Sequence, residues 1–209
     1  VKPGTSIDSY VSTQKPQTLY DINIYRLGWY QGEGGRLMTV VSGLSGDAQG
    51  YYNETSHTLA YCQSCHTDPA TGLLEANWKR SYTLHVPSDW TSGIYLAKLT
   101  DEHSMQSYIP FDVLGSSTST YVAVTPDTTY EAYNDWGGTS LYDAASHEAA
   151  SNSAGNISDR KKVTHVSFDR PYALDYGSSQ LLDIIIDSVH WFEREGYDIS
   201  YASDVDVHE

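Results

Sequence analysis

The hydrophobic pattern changes character on either side of "GSSTST" at 115–120, and that change constrains the fold more than any other feature of the chain. Before it the residues read as short β-rich runs. "SIDSYVST" alternates, and "LYDINIYRLGWY" places Leu19, Ile22, Ile24 and Leu27 in one run closed by the turn cluster "QGEGG". "RLMTVVSG", "RSYTLHVPSDW", "GIYLAKLTD" and "SYIPFDVLG" continue the series with Gly, Pro and Asp between them. Several short strands with turn signals predict a β-sandwich over residues 1–114. Residues 43–79 have little periodicity and read as a long excursion from it.

After the linker at 115–120 the pattern alternates between types. "YVAVTP" reads as a buried strand, and "TTYEAYNDWGGTSLYDAASHEAA" starts with turn chemistry and becomes helical. "VTHVSF" is a second strand. "SSQLLDIIIDSVHWFEREG" carries Leu181, Leu182, Ile185, Ile186, Val189 and Phe192 at helical spacing, with Gly196 as a stop. "YDISYASD" is a third strand, and Asp204, Asp206, His208 and Glu209 then read as its solvated end. Strand, helix, strand, helix, strand predicts a partial, doubly wound parallel α/β domain over 121–209. Such sheets normally have more strands, so a larger protein or an oligomer is expected to complete it.

The charge is strongly acidic, 27 Asp plus Glu against 12 Lys plus Arg, a formal net charge of −15. A basic face for nucleic acid or anionic membrane is excluded as an expectation. No stretch approaches the ~20 apolar residues of a membrane span. Eighteen tyrosines and five tryptophans with abundant Gly, Ser and Thr suit an exported β-protein. So do the sequons Asn53-Glu54-Thr55 and Asn156-Ile157-Ser158 and the beginning "VKPGTSIDSY", which has the look of a mature or trimmed product. A secreted, periplasmic or extracellular location is expected.

The only two cysteines, Cys62 and Cys65, lie in "YCQSCH". With His66 the motif meets the needs of covalent c-type haem attachment, and His57, His85, His103 or Met105 would supply a sixth ligand. A local Cys62–Cys65 disulfide explains the absence of a third cysteine equally simply. Flanking residues offer few apolar side chains to enclose a porphyrin, which favours the disulfide. A structural zinc site lacks a second ligand pair.

Six stretches carry a further signal: "IYRLGWYQGEGGRL", "DPATGLLEANW", "VPSDWTSGIYLAKLT", "AYNDWGGTSLY", "VSFDRPY" and "FEREGYDISYASDVDVH". In this order, and across nearly the whole chain, they resemble the large-subunit-like family of N,N-dimethylformamidase. The resemblance implies an α+β multidomain protein: an immunoglobulin-like β-sandwich followed by an α/β domain akin to class I glutamine amidotransferases. It also implies a mononuclear iron held by two tyrosinates and one glutamate, a Lewis acid for hydrolysis of the C–N bond of a small amide. By motif the tyrosines would be Tyr133 of "EAYNDWGG" and Tyr172 of "DRPY", with Tyr130 the alternative for the first. The glutamate belongs to a His-x-Glu-Tyr-Trp-like motif expected beyond Glu209.

Hard, anionic phenolates suit ferric iron. Asn134, Trp136, Asp169 and Arg170 are candidates for the substrate pocket, although Trp136-Gly137-Gly138 equally suits a tight turn and Asp169 a pair with Arg170. Two readings from other classes stand beside the hydrolase: a secreted haem c electron carrier, and a non-catalytic extracellular binding or assembly module.

Overall fold

The computed structural model describes residues 1–53, 56, 58–115, 119–142 and 163–208. In chain order it forms β1 (Ser6–Ser9), β2 (Leu19–Leu27), β3 (Gly35–Ser45), β4 (Tyr51–Asn53), β5 (Thr58–Tyr61), β6 (His66–Thr67) and β7 (Leu74–Glu75). Then follow β8 (Tyr82–His85), β9 (Gly93–Asp101), β10 (Gln106–Val113), β11 (Tyr121–Thr125), α1 (Asp127–Tyr133), α2 (Ile186–Arg194), β12 (Ile199–Ser203) and α3 (Asp204–His208).

Alternation along β2 sends Tyr20, Ile22 and Ile24 to one face, and β9 sends Tyr95, Ala97 and Leu99 to the same side. These strands belong to a four-stranded antiparallel sheet of order β10-β9-β2-β3. The two-stranded β1-β8 sheet adds Leu84 to that core, Val86 follows it, and Trp90 stacks on Tyr95 with ring centroids 4.8 Å apart. The arrangement is compatible with the predicted β-sandwich.

β9 is buried on both faces. Its other residues, Ile94 and Leu96, join Leu27 against Leu181, Val189 and Tyr201. α2 and β12 therefore lie on the outer side of the four-stranded sheet, which is why "GIYLA" reads as a continuous apolar run rather than an alternation. At roughly 1.5–3 kcal/mol per large apolar side chain buried, this shared cluster joins the front and back of the chain. An ion pair between Arg26 and Glu193, N to O 2.8 Å, crosses the same boundary. It needs a glycine at 28, where a Cβ would stand 2.2 Å from Glu193 Oε2.

α2 follows one wider π-type turn at Leu181–Ile185 and ends as its sequence predicts. Gly196 takes φ +75°, its N–H donates to Glu193 O (3.2 Å), and the N–H of Tyr197 donates to Phe192 O (3.1 Å). This is the paired hydrogen bonding of a Schellman stop. β11 and β12 pair in parallel, Tyr121 opposite Ile199 through Thr125 opposite Ser203.

Four expectations are corrected. "VTHVSF" is not a strand: Val163 N–H donates to Ser140 O and Thr164 N–H to Thr71 O, so the segment is tied to the excursion instead of to β11. The parallel sheet has two strands among the described residues. The 43–79 excursion is not featureless, since β4 pairs with β5 and β6 with β7 in two small hairpins. The end of the chain is a helix rather than a strand end. Ser203 N–H and Oγ donate to Asp206 Oδ2 (3.0 and 2.6 Å) while Asp206 N–H donates to Ser203 Oγ (3.0 Å), a reciprocal cap within "SDVD". Within the linker, residues 116–118 lie outside the described residues, as do the second sequon, Glu54 and Thr55 of the first, His57 and Glu209.

Candidate active site

α1 begins directly after β11 and turns Tyr130 and Glu131 inward, each 2 % exposed. Tyr130 meets Tyr172 edge-on, with ring centroids 6.1 Å apart and planes at 87°. Tyr133, one turn further, is 40 % exposed and stacks on Tyr142 at 4.5 Å. Of the two tyrosines considered for the first iron ligand, Tyr130 is the one whose ring meets Tyr172.

The loop bearing Tyr172 is clamped from both sides by Asn134. Its Nδ2 donates to Pro171 O (2.9 Å) and Glu131 Oε2 (3.2 Å), and its Oδ1 accepts from Ala173 N–H (3.1 Å) and Trp136 N–H (3.2 Å). Both amide hydrogens and both oxygen lone pairs are thereby used, so Asn134 positions Tyr172 and has nothing left for a substrate. Arg170 is spent in the same way. Nε donates to Glu131 Oε1 (2.5 Å), Nη1 to the carbonyls of Trp136 and Thr139, and Nη2 to those of Asn134 and Glu131. The alternative pairing of Arg170 with Asp169 is not made. Asp169 instead accepts Ala76 N–H on its carbonyl and Asn77 N–H on Oδ2, fixing the strand end after β7. The "WGG" turn folds under Arg170: Gly137 sits at φ +91°, where a Cβ would lie 2.1 Å from Leu74 Cδ2.

The Tyr130 hydroxyl is buried and has no hydrogen-bond partner among the described residues. Burial pushes both phenols above their ordinary range, and Asp127, with Asp204 and other acidic neighbours, pushes them further. Burial also raises Asp127 to about 7, reinforced by Asp112. Asp112 is raised to about 6 by burial despite accepting Thr125 Oγ1 at 2.6 Å, and its Oδ1 is unpartnered. Asp204, from α3, caps α1 by accepting the N–H and hydroxyl of Thr128. Glu131 is raised by burial and pulled back by Arg170.

Oxygen atoms crowd together here, and among the described residues the one cation beside them is Arg170. A cation near Tyr130 and Tyr172 would relieve the repulsion and invert the protonation preference of the phenols. Among the described residues no three His, Cys, Asp or Glu side chains gather to hold a metal, so a metal at this place would rest on the phenols.

Tyr172 also lines a cleft of about 500 Å³ between the sandwich and this loop, with Tyr10, Tyr51, Trp78, Trp136 and Phe168 among its walls. Trp136 packs with Tyr52, Leu74 and Ala76, and Trp78 meets it edge-on at 5.7 Å.

Cys62 and Cys65 are joined as a disulfide, the pairing the sequence favours over haem attachment. Cys65 packs beside the Trp136 cluster, and Ser64 Oγ donates to Ala76 O at 2.7 Å. His66 is on the short β6, His85 is hydrogen-bonded to Ser6, and His103 and Met105 occupy the exposed β9–β10 turn.

Sheets compatible with a β-sandwich are thus backed by a strand–helix unit, with buried Tyr130 against half-buried Tyr172 at the edge of an aromatic cleft. Residues 21–209 match the family described as N,N-dimethylformamidase beta subunit-like, C-terminal, and the chain belongs to that family. The description names the beta subunit, where the sequence resemblance pointed to a large subunit. No curated protein matches the chain.

Proposed function

We propose that this chain carries part of an iron-dependent hydrolase acting on the C–N bond of an amide, with Tyr130 and Tyr172 as its two phenolate ligands. Family membership supports an amidohydrolase-related function. The observation that carries the metal reading is the buried, unpartnered Tyr130 hydroxyl beside Tyr172, because an orphaned buried polar group otherwise costs about 1–3 kcal/mol.

Bound there, ferric iron would supply Lewis acidity toward an amide carbonyl. The chain's own residues do the rest. Asn134 and Arg170 hold the loop that presents Tyr172, and the cleft brings substrate to Tyr172. The third ligand, the glutamine-amidotransferase-like character of the α/β unit and the immunoglobulin-like character of the sandwich are part of this proposal. So is an oxidising, exported location, which the disulfide supports.

The test is metal analysis and visible absorption of the purified protein with amine release from amides. Bound iron with phenolate-to-metal absorption, lost in Tyr130→Phe and Tyr172→Phe but kept in Tyr133→Phe, is expected. Iron retained in both of the first two variants overturns the assignment.

A further inference from the structure

The inference that follows rests on the amide-hydrolase reading and concerns what the site takes. We infer that the cleft beside Tyr172 accepts an uncharged or cationic amide bearing an aromatic ring, rather than an amide of only a few atoms.

Size is the first argument. A cleft of about 500 Å³ falls within the ~300–1,000 Å³ of pockets that enclose drug-sized ligands. A dialkylformamide would leave most of it to water.

The rim is the second. Tyr10, Tyr51, Met105, Phe168 and Tyr176 all border this opening and are 48, 48, 59, 54 and 68 % exposed. Exposed apolar side chains scattered singly need no explanation, but five around one mouth mark a place where apolar surface is to be covered. Four of the five are large, polarisable side chains with π faces, suited to stacking on another ring.

Backbone strain is the third. Asp175 and Tyr176 sit at φ +49° and +56°, in the left-handed region that side chains disfavour, and Gly177 follows at +97°. Tyr176 is not held there by burial of its ring. Ser107 Oγ donates to Tyr176 O at 2.8 Å, and Gly177 passes so close to β10 that a Cβ would stand 2.5 Å from Tyr108 O. These contacts with β10 hold the strained turn, and it presents the exposed Tyr176 ring at the mouth of the cleft.

Charge sets the remaining limit. Among the described residues Asp8, Asp101, Glu131 and Asp169 line the cleft, and the one cation beside them, Arg170, has all its hydrogens committed inward. Those residues offer a carboxylate-bearing ligand no free partner, whereas aromatic faces and acids favour neutral or positive ones.

The test uses the purified protein with three probes: formanilide, 4-carboxyformanilide and N,N-dimethylformamide. Binding is followed by tryptophan fluorescence, since Trp78 and Trp136 line the cleft, and amine release is measured in the same samples. Formanilide is expected to bind at least about tenfold more tightly than either other probe. Phe168→Ala and Tyr176→Ala, both at exposed positions, are expected to weaken formanilide about three- to tenfold and leave dimethylformamide unchanged.

Equal affinity for formanilide and dimethylformamide, absence of formanilide binding, or indifference to both rim variants overturns the inference. Tight formanilide binding without aniline release upholds the cleft's preference and sinks the hydrolase reading. Release of dimethylamine with no preference for the anilide does the opposite.

Discussion

Arg170 and Glu131, 39 positions apart, form a buried ion pair with Nε 2.5 Å from Oε1, and both side chains are almost wholly out of solvent. The rest of the guanidinium is spent on carbonyls of the α1 C-terminus and the "WGG" turn. A lysine delivers charge but not this planar fork. Arg170→Met, which leaves Glu131 buried without its cation, is expected to cost about 3–5 kcal/mol, the range for breaking a buried pair, measured by denaturant unfolding. A loss under about 1 kcal/mol would show that the clamp matters little.

Tyr130→Phe separates a metal ligand from an ordinary buried tyrosine. In protein stripped of metal by a chelator, the variant removes a hydroxyl that has no partner among the described residues. It should then be more stable than the parent by about 1 kcal/mol. In protein loaded with iron the order should reverse, since binding to the folded state alone stabilises it. Thermal melts of both forms check this; the same ranking with and without iron would remove Tyr130 from the ligand set.

Asp112 gives a pH dependence of defined sign. Its folded value is raised from 3.8 to about 6 by burial, so between about pH 4 and 6 the folded state binds more protons than the unfolded one. The contribution is fully present below the unfolded value and is lost as pH rises through about 6. Asp112→Asn, which keeps an acceptor for Thr125 but cannot ionise, should match the parent at pH 4. At pH 7.5 it should exceed the parent by about 2–3 kcal/mol. Parallel stability curves for the two proteins across that window would contradict the burial argument.

The disulfide closes a very short loop, so it removes little unfolded-state entropy. Cys62→Ser with Cys65→Ser is expected to cost about 2 kcal/mol or less and to leave colour and iron content unchanged, read by calorimetry and metal analysis. Loss of iron would connect the Cys65 contact with the Trp136 cluster to the site itself.

Local pattern was legible in the sequence. The alternation of Tyr20, Ile22 and Ile24, the stripe and Gly196 stop of α2, and the pairing of two lone cysteines follow from interactions within a few residues. Those interactions are largely independent of the remaining fold. The α3 helix was not: the alternating "DVDVH" reads as a strand end, and the reciprocal cap of Ser203 and Asp206 makes it a helix.

What only the tertiary structure decided depends on residues far apart in the chain. Tyr130 and Tyr133 lie on the same helix three residues apart, and neither spacing nor composition says which will face Tyr172. The choice comes from the angle at which α1 meets the "DRPY" loop, and Asn134 and Arg170 set that angle across 34 to 39 residues. In sequence Asn134 and Arg170 look like polar residues awaiting a substrate. In the folded chain buried carbonyls and amides satisfy them completely, because a polar group removed from water must find its partners within the protein. "VTHVSF" has the composition of a strand, yet its backbone bonds go to Thr71 and Ser140, since β-propensity yields wherever a non-local partner offers those bonds first.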